Sequence, residues 1–145
     1  MNETKLPKTL RVLVVDDSTL IRAMLRYALP EWGGYAVSTA ADGPTAMKMI
    51  ESLMFDIVLL DLELPGMGGL AVSKAVRSLP GEIFKELVIL GLTAHKKEHV
   101  RDICTAAGMN GVLGKPFSRD DFEKELSAYG VWMLFGTAAE SRLDV

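Results

Sequence analysis

The sequence predicts an α/β fold, a doubly wound parallel sheet of five strands with helices on both faces. Short runs of β-branched and other apolar residues alternate with longer segments whose apolar residues repeat at helical spacing. This alternation is typical of strand–helix–strand units, and strands buried on both faces read as nearly continuous apolar runs. Four of the five predicted strands end in polar residues, which indicates a ligand site at one edge of the sheet.

The first strand is predicted at residues 11–16 (RVLVVD) and the second at residues 35–40. The helix between them should close before Pro30, because proline has no N–H to donate within a helix. Its apolar face is marked by Leu20, Ile21, Met24, Leu25 and Ala28. The second helix follows the second strand, with an apolar stripe at Ala46, Met49, Ile50 and Leu53.

The third strand is predicted at residues 56–60, and Asp61 lies where it ends. The third helix repeats the apolar stripe at Val72, Ala75, Val76 and Leu79. A Pro-Gly pair at 80–81 ends this helix. The fourth strand is predicted at residues 87–92, with Thr93 at its end.

The fourth helix is predicted to end at Gly108, before a short fifth strand at residues 111–113 that leads into Lys115. Val100, Ile103, Cys104 and Ala107 are expected to face inward from this helix. The fifth helix begins with Ser118 and Asp121, whose spacing resembles a capping box. Its buried edge is predicted to consist of Phe122, Leu126 and Tyr129.

A chain of 145 residues accommodates one ordinary domain, and 49% hydrophobic residues are enough for a sizeable core. We assign residues 1–9 to a flexible leader, residues 10–129 to the domain and residues 130–145 to a C-terminal extension. Within the extension, residues 131–135 (VWMLF) are too apolar to lie in water without a partner. We expect them to pack back on the domain or to form a homodimer contact; a connection to a further segment is the alternative.

The composition excludes several classes of function. A net charge of −3, with Lys and Arg scattered, gives no basic footprint, so direct nucleic-acid binding is not expected. No apolar run approaches the length of about 18 residues that a membrane span needs, so no direct membrane contact is expected. The single cysteine, Cys104, cannot form an internal disulfide, which favours a reducing compartment, the cytoplasm.

Five polar side chains at strand ends carry the chemistry: Asp16, Asp17, Asp61, Thr93 and Lys115. Because the carboxyl ends of parallel strands share one edge of a sheet, these side chains are expected to converge in one pocket. Crowded carboxylates repel one another unless a cation neutralises them, and Mg²⁺ binds carboxylate and phosphate oxygens. An ionised aspartate is a nucleophile toward a phosphoryl group, whose oxygens an ammonium and a hydroxyl can stabilise. The pattern predicts phosphoryl transfer assisted by Mg²⁺.

Four motifs in this order resemble the receiver domains of response regulators in two-component signalling, over about residues 10–129. They are VLVVDDSTLIR at 12–22, LLDLELPGMGGL at 59–70, GLTAH at 91–95 and AAGMNGVLGKPF at 106–117. The resemblance implies a flavodoxin-like (βα)5 fold with strand order 2-1-3-4-5. It further implies that Asp61 is the phosphoacceptor and that Thr93 and Lys115 contact the phosphoryl oxygens. It assigns the Mg²⁺ ligands to Asp16, Asp17, Asp61 and the backbone carbonyl of Glu63.

The resemblance also implies a switch that is not an enzyme beyond its own phosphorylation and autodephosphorylation. The donor would be a histidine kinase core, a histidine phosphotransfer domain or both. Phosphorylation would pull the Thr93 hydroxyl inward and change the surface of the fourth helix, fifth strand and fifth helix, and the Lys115–Pro116 peptide is commonly cis. Among receivers, the chain looks most like those of hybrid sensor histidine kinases, which would place it in the cytoplasmic portion of a membrane-bound kinase. A free-standing regulator is the alternative.

Three positions depart from the usual receiver pattern. Val112 occupies a position that normally holds the Tyr or Phe which moves with Thr93, so we expect a weak or different surface response. Gly68 and Gly69 follow the active-site loop and should weaken the start of the third helix. Glu63 either repels the phosphoryl group or orients water, and the sequence does not decide between these effects.

Other interpretations compete with a phosphoswitch. A haloacid-dehalogenase-like phosphatase also uses an aspartate, a carboxylate two residues on, a Thr and a Lys. Its further metal-binding acids follow the lysine, whereas Asp16 and Asp17 precede the nucleophile here, and Asp120 and Asp121 lie too close to a helix start to serve as metal ligands. The fold could also serve as an unphosphorylated interaction module. The Asp16-Asp17 pair or Ser18 could simply cap a helix. His95 and His99 are expected to be solvated, without a carboxylate partner, and Cys104 to be a core residue.

Overall fold

The computed structural model describes residues 9–128, which form one five-stranded parallel sheet in the order β2-β1-β3-β4-β5. The predicted fold class and strand order are therefore confirmed. The strands are β1 (Leu10–Val15), β2 (Tyr35–Ala40), β3 (Ile57–Asp61), β4 (Val88–Thr93) and β5 (Gly111–Gly114). Each lies within about one residue of its predicted limits.

Six helices connect and cover these strands within the described residues, where five were predicted. They are α1 (Thr19–Trp32), α2 (Gly43–Ser52), α3 (Gly69–Arg77), α4 (Glu82–Glu86), α5 (Lys97–Ala106) and α6 (Arg119–Ala128). The additional helix, α4, is a single turn that follows Gly81, whose φ of 119° ends the preceding segment. The predicted fourth and fifth helices are consequently α5 and α6.

The core consists of two apolar clusters, one on each face of the sheet. The first lies under α1 and α6 and includes the fully buried Leu29 and Phe122. The second lies under α2, α3 and α5 and includes Val72 and Cys104. Burial raises the pKa of the Cys104 thiol, which disfavours the reactive thiolate, and the side chain is a core residue as predicted. Both faces of the sheet are thus covered by helices.

Several helix predictions were wrong in detail. Pro30 lies inside α1, whereas the helix was predicted to end before it. The proline is tolerated because it lies in the last turn, where its missing N–H removes only one helical hydrogen bond. The helix ends at Gly33, whose N–H donates to the Pro30 carbonyl at 3.0 Å. Four residues assigned to inward-facing stripes are instead exposed: Leu20 at 67%, Met24 at 50%, Leu53 at 44% and Ile103 at 51%. Each lies at the margin of its stripe, where the helix turns away from the sheet. Tyr129 and residues 131–135 lie outside the described residues.

Arg77 joins the loops at the amino end of the sheet. Its guanidinium donates to the carbonyls of Gly108 at 2.8 Å, Phe84 at 2.7 Å and Leu87 at 2.7 Å, and to the Asn110 side chain at 2.9 Å. Burial lowers the pKa of Arg77 from its usual value. The sequence analysis did not single out this residue, which fixes where β4 and β5 begin. Across residues 9–128, none of the helices combines the length and the apolar character of a membrane-crossing segment.

Candidate functional site

The carboxyl edge of the sheet gathers polar side chains from distant parts of the chain. Asp61 and Thr93 are the last residues of β3 and β4, and Asp16 and Lys115 directly follow β1 and β5. The Lys115 Nζ lies 3.1 Å from Asp16 Oδ2, although 99 residues separate them, and 3.3 Å from Asp61 Oδ1. The predicted convergence of these charges is therefore present.

Asp16 is fully buried and is held from several directions. Its N–H donates to the Ala40 carbonyl at 3.1 Å, its Oδ1 accepts the Ser18 N–H at 2.9 Å, and its carbonyl accepts Arg22 Nη1 at 2.8 Å. Ser18 also caps α1, since its hydroxyl accepts the N–H of Ile21 at 3.1 Å. Ser18 therefore performs the capping that competed with a metal role for the acidic pair, which leaves one Asp16 oxygen to Lys115.

Asp61 is 2% exposed, and its Oδ1 accepts the N–H of Glu63 at 3.0 Å. The start of α3 lies against the backbone of this residue. A Cβ on Gly69 would be 2.3 Å from the Asp61 carbonyl oxygen, whereas a Cβ on Gly68 would have no neighbour nearer than 3.7 Å. Gly69 thus permits a close approach of two backbone segments, a role the sequence analysis did not assign to it.

Oxygen atoms of Asp16, Asp17 and Asp61 all lie within 4.8 Å of one another. Asp17 is exposed while the other two are buried, so the cluster opens to solvent on one side. Carboxylate oxygens and space for water are what Mg²⁺ requires, and the donor set contains no nitrogen or sulfur ligand that would favour a softer metal. The side chains fit the predicted cation.

Burial raises the pKa of Asp61, and the neighbouring Asp16 charge raises it further against the lowering effects of the Glu63 N–H and Lys115. Burial lowers the pKa of Lys115, but its hydrogen bond to Asp16 and the charges of Asp61 and Asp16 outweigh that effect and raise it overall. Lys115 is therefore a permanent cation at neutral pH. The site retains a surplus of negative charge, which a bound cation would offset.

Thr93 is 1% exposed, and its Oγ1 accepts the backbone N–H of His95 at 3.0 Å. The side chain of His95 is exposed, as predicted, but it has a carboxylate partner that was not predicted. Its Nε2 lies 2.6 Å from Glu63 Oε2, so a histidine of the β4–α5 loop and a carboxylate of the β3–α3 loop form a pair. The sequence separation of 32 residues concealed this contact. The Lys115–Pro116 peptide bond is cis.

An apolar groove adjoins the site between α1 and the segment that follows β5. Lys115 lines it together with Ile21, Met24, Leu25, Leu92, Pro116 and Phe117. Beside the groove, Leu20 and Tyr27 of α1 are 67% and 73% exposed. The charged site therefore continues into an uncovered apolar surface.

Val112 is fully buried in β5, where the aromatic residue of the usual pattern is missing. Its N–H donates to Oε2 of the buried Glu125 at 3.0 Å, and the same oxygen accepts Arg101 Nη1 at 3.0 Å. This contact connects α5, β5 and α6. It was missed in the sequence because a glutamate usually indicates solvent exposure, although Glu125 shares the buried edge of α6 with Phe122 and Leu126.

Comparison with known proteins agrees with this architecture. The family model described as the response regulator receiver domain matches residues 12–127. The CAI-1 autoinducer sensor kinase/phosphatase CqsS of Vibrio cholerae is 35% identical over 119 residues, which are 82% of this chain and 17% of that protein. The chain thus spans about a sixth of the length of that relative.

Solved structures show the same fold. The chemotaxis response regulator CheY4 of Vibrio cholerae superimposes with a TM-score of 0.74 at 35% identity, covering 84% of this chain and 99% of that one. The receiver domain of the sensor histidine kinase PA1611 of Pseudomonas aeruginosa has a TM-score of 0.71 at 30% identity, covering 83% and 98%. That structure has a magnesium ion coordinated in its active site cleft.

Proposed function

Because this chain belongs to the response regulator receiver domain family, we propose that it takes a phosphoryl group from a phosphohistidine onto Asp61 and acts as a switch. The observation that carries the proposal is the position of Lys115, 3.1 Å from Asp16 and 3.3 Å from Asp61, beside an acidic cluster. One half-buried cation between two carboxylates leaves a site that is still electronegative. Such a site suits the binding of a divalent cation together with a phosphoryl group.

In the proposed step, an oxygen of the ionised Asp61 attacks phosphorus while the bond from phosphorus to the donor imidazole breaks. The imidazole leaves with the bonding electron pair and is protonated from solvent, so Asp61 needs no general base. Lys115 Nζ, 3.3 Å from Asp61 Oδ1, is positioned to bind a transferring oxygen. The Thr93 hydroxyl is the second proposed donor to the phosphoryl group.

We assign the Mg²⁺ ligands to Asp16, Asp17, Asp61 and the backbone carbonyl of Glu63. When bound, Mg²⁺ supplies positive charge to the phosphoryl oxygens. The buried and hydrogen-bonded Asp16 would act at a fixed position, whereas the exposed Asp17 can adjust to the ion. The N–H of Glu63 on Asp61 Oδ1 holds the loop that carries the proposed carbonyl ligand.

The phosphodonor is a histidine kinase core or a histidine phosphotransfer domain, and we place its docking on the exposed face of α1. A donor must bring phosphohistidine to the edge that holds Lys115, and the apolar groove beside Lys115 is continuous with Leu20, Met24 and Tyr27. These residues have the i, i+4, i+7 spacing that receives another helix. Transfer from such a donor should fall in Tyr27→Ala, while phosphorylation by acetyl phosphate should not.

After phosphorylation, the output surface is that of α5, β5 and α6. The proposed location of the protein is the cytoplasm.

A haloacid-dehalogenase-like phosphatase is disfavoured, because Asp121 is committed to capping α6. Its Oδ2 accepts the Ser118 N–H at 3.0 Å and its own N–H donates to Ser118 Oγ at 3.0 Å. Its neighbour Asp120 forms an exposed pair with Lys124 at 3.5 Å. Turnover of a generic phosphate ester would distinguish the two functions.

The direct test incubates the chain with acetyl phosphate or phosphoramidate and measures intact mass. We expect one added phosphoryl mass with Mg²⁺, none without it, and none in Asp61→Asn. Asp120→Asn, at an exposed position of α6, is a control that should behave as the parent chain. A phosphoryl adduct that persists in Asp61→Asn, or that forms equally without Mg²⁺, would refute the proposal.

A further inference from the structure

Four contacts join the β3–α3 and β4–α5 loops into a closed circuit beside the phosphorylation site. The N–H of Glu63 donates to Asp61 Oδ1 at 3.0 Å, and the carboxylate of Glu63 meets His95 Nε2 at 2.6 Å. The N–H of His95 in turn donates to Thr93 Oγ1 at 3.0 Å. The backbone closes the circuit, since Leu62 N–H donates to the Leu92 carbonyl at 3.0 Å.

This circuit fixes the direction of the Thr93 hydroxyl. Within residues 9–128, Oγ1 accepts a hydrogen bond from the following loop and makes no hydrogen bond with Asp61 or Lys115. To reach a phosphoryl group on Asp61, the side chain must rotate or its loop must shift, and the contact with the His95 N–H is then given up. Any restraint on His95 is therefore a restraint on Thr93.

The side-chain pair supplies such a restraint. The side chains of His95 and Glu63 are 66% and 55% exposed. The pair can therefore open into solvent without disturbing the packing of the core. An exposed pair of this kind contributes little to global stability, yet it holds two loops together at one point. We propose that the His95–Glu63 pair is a clasp that keeps Thr93 turned away from Asp61, and that its opening limits the rate of phosphorylation. This inference rests on the proposed function of Asp61 and names His95 as a positioning residue.

A purely electrostatic role for Glu63 makes different predictions. In that case the Glu63 charge repels an anionic donor and His95 weakens the repulsion. Removal of Glu63 would then accelerate phosphorylation, but removal of His95 would slow it. A clasp instead requires both removals to act in the same direction, and it requires only a hydrogen-bond acceptor at position 63.

The experiment compares the parent chain with Glu63→Ala, His95→Ala, their double variant and Glu63→Gln, using acetyl phosphate and Mg²⁺. We expect each alanine variant to gain phosphoryl mass about two- to fivefold faster, the range that an exposed pair supplies. The double variant should be no faster than either single one. Glu63→Gln, which keeps the backbone carbonyl and an acceptor for His95, should be phosphorylated more slowly than Glu63→Ala. His99→Ala removes an exposed histidine of α5 and is the matched control.

Hydrogen exchange gives a second readout that does not depend on phosphorylation. The residue-95 amide should exchange about two- to fivefold faster in His95→Ala and in Glu63→Ala, but not in His99→Ala. If the parent chain gains no phosphoryl mass, the proposed function fails while this exchange measurement still tests the clasp. Each of three results would overturn the clasp. They are unchanged amide exchange at residue 95, slower phosphorylation of His95→Ala than of the parent chain, and equal phosphorylation rates for Glu63→Gln and Glu63→Ala.

Discussion

The carboxylate of Glu125 on α6 accepts the backbone N–H of Val112 in the edge strand β5 at 3.0 Å. Glu125 is 7% exposed, and Arg101 of α5 donates to the same oxygen at 3.0 Å. A buried carboxylate with two donors thus holds together the three elements of the proposed output surface. The family pattern places an aromatic residue at position 112, but here the connection across this surface is polar.

Replacing Glu125 should destabilise the fold. Glu125→Ala leaves the Val112 N–H buried without an acceptor and Arg101 without its carboxylate, which should lower the free energy of unfolding by about 2–4 kcal/mol. Glu125→Gln keeps an acceptor and should lose about half as much. Urea unfolding followed by circular dichroism measures both. Asp120→Asn, on the exposed side of the same helix, should match the parent chain; an equal loss there would contradict the argument.

The two adjacent glycines at the start of α3 should respond differently to alanine. Gly69→Ala places a Cβ 2.3 Å from the Asp61 carbonyl, so the loop must move away from the site. We expect a loss of about 1–3 kcal/mol in stability together with slower phosphorylation. Gly68→Ala meets nothing nearer than 3.7 Å at a φ of −72°, but Gly68 is the N-cap of α3, where alanine is disfavoured. This cost opposes the entropic gain of replacing glycine, so we expect the stability to change by less than about 1 kcal/mol. Identical behaviour of the two variants in thermal unfolding would show that the close approach does not matter.

Arg77→Lys tests the hydrogen bonds that the Arg77 guanidinium donates at the amino end of the sheet. A lysine ammonium cannot serve acceptors on Phe84, Leu87, Gly108 and Asn110 at once, because it lacks the fork of the guanidinium. Several buried carbonyls would lose a donor, and we expect the free energy of unfolding to fall by about 2–4 kcal/mol. Lys74→Arg on the exposed face of α3 is the control. Hydrogen exchange should accelerate first in β4 and β5.

The acidic cluster should oppose folding in the absence of a cation. Because the pKa of Asp61 in the folded state is raised above 3.8, its ionised form destabilises the fold above the folded pKa. This penalty declines as the pH falls through the folded pKa and disappears below 3.8. Asp61→Asn should therefore unfold at a higher temperature than the parent chain at pH 7, and the difference should shrink toward pH 4.

Magnesium supplies the control for that measurement. Mg²⁺ should raise the unfolding temperature of the parent chain at pH 7, since the proposed site exists only in the folded state. The same concentration should have less effect on Asp61→Asn, which lacks one of the proposed ligands. If the parent chain is more stable than Asp61→Asn without Mg²⁺, the prediction is wrong. The free-energy cost of burying the Asp61 charge would then be fully compensated within the folded chain.

The strands and the edge-of-sheet convergence could be predicted because they depend on patterns that the sequence displays directly. Asp61, Thr93 and Lys115 each end an apolar run. Once the strands are parallel, these three side chains must lie at the same edge of the sheet. The helix margins were less predictable, since Leu20 and Ile103 fit an apolar stripe but lie where the helix leaves the sheet. Periodicity reports the direction of a side chain and not whether a neighbour covers it.

The contacts that were missed are polar and distant in sequence. Glu63 and His95 are 32 residues apart, and Glu125 reaches a backbone N–H that carries no sequence signal. Arg77 likewise binds mostly carbonyl groups, which every residue possesses. Loop conformation decides such pairings, and no local pattern of residue types encodes it.

The hydrogen bond from the Val112 N–H to Glu125 also affects how this protein can associate with other chains. An edge strand normally offers its free N–H groups to any extended segment that approaches, which invites strand addition and aggregation. Here the strand has only four residues, and its Val112 donor is already occupied from within. Growth of the sheet beyond β5 is thereby discouraged.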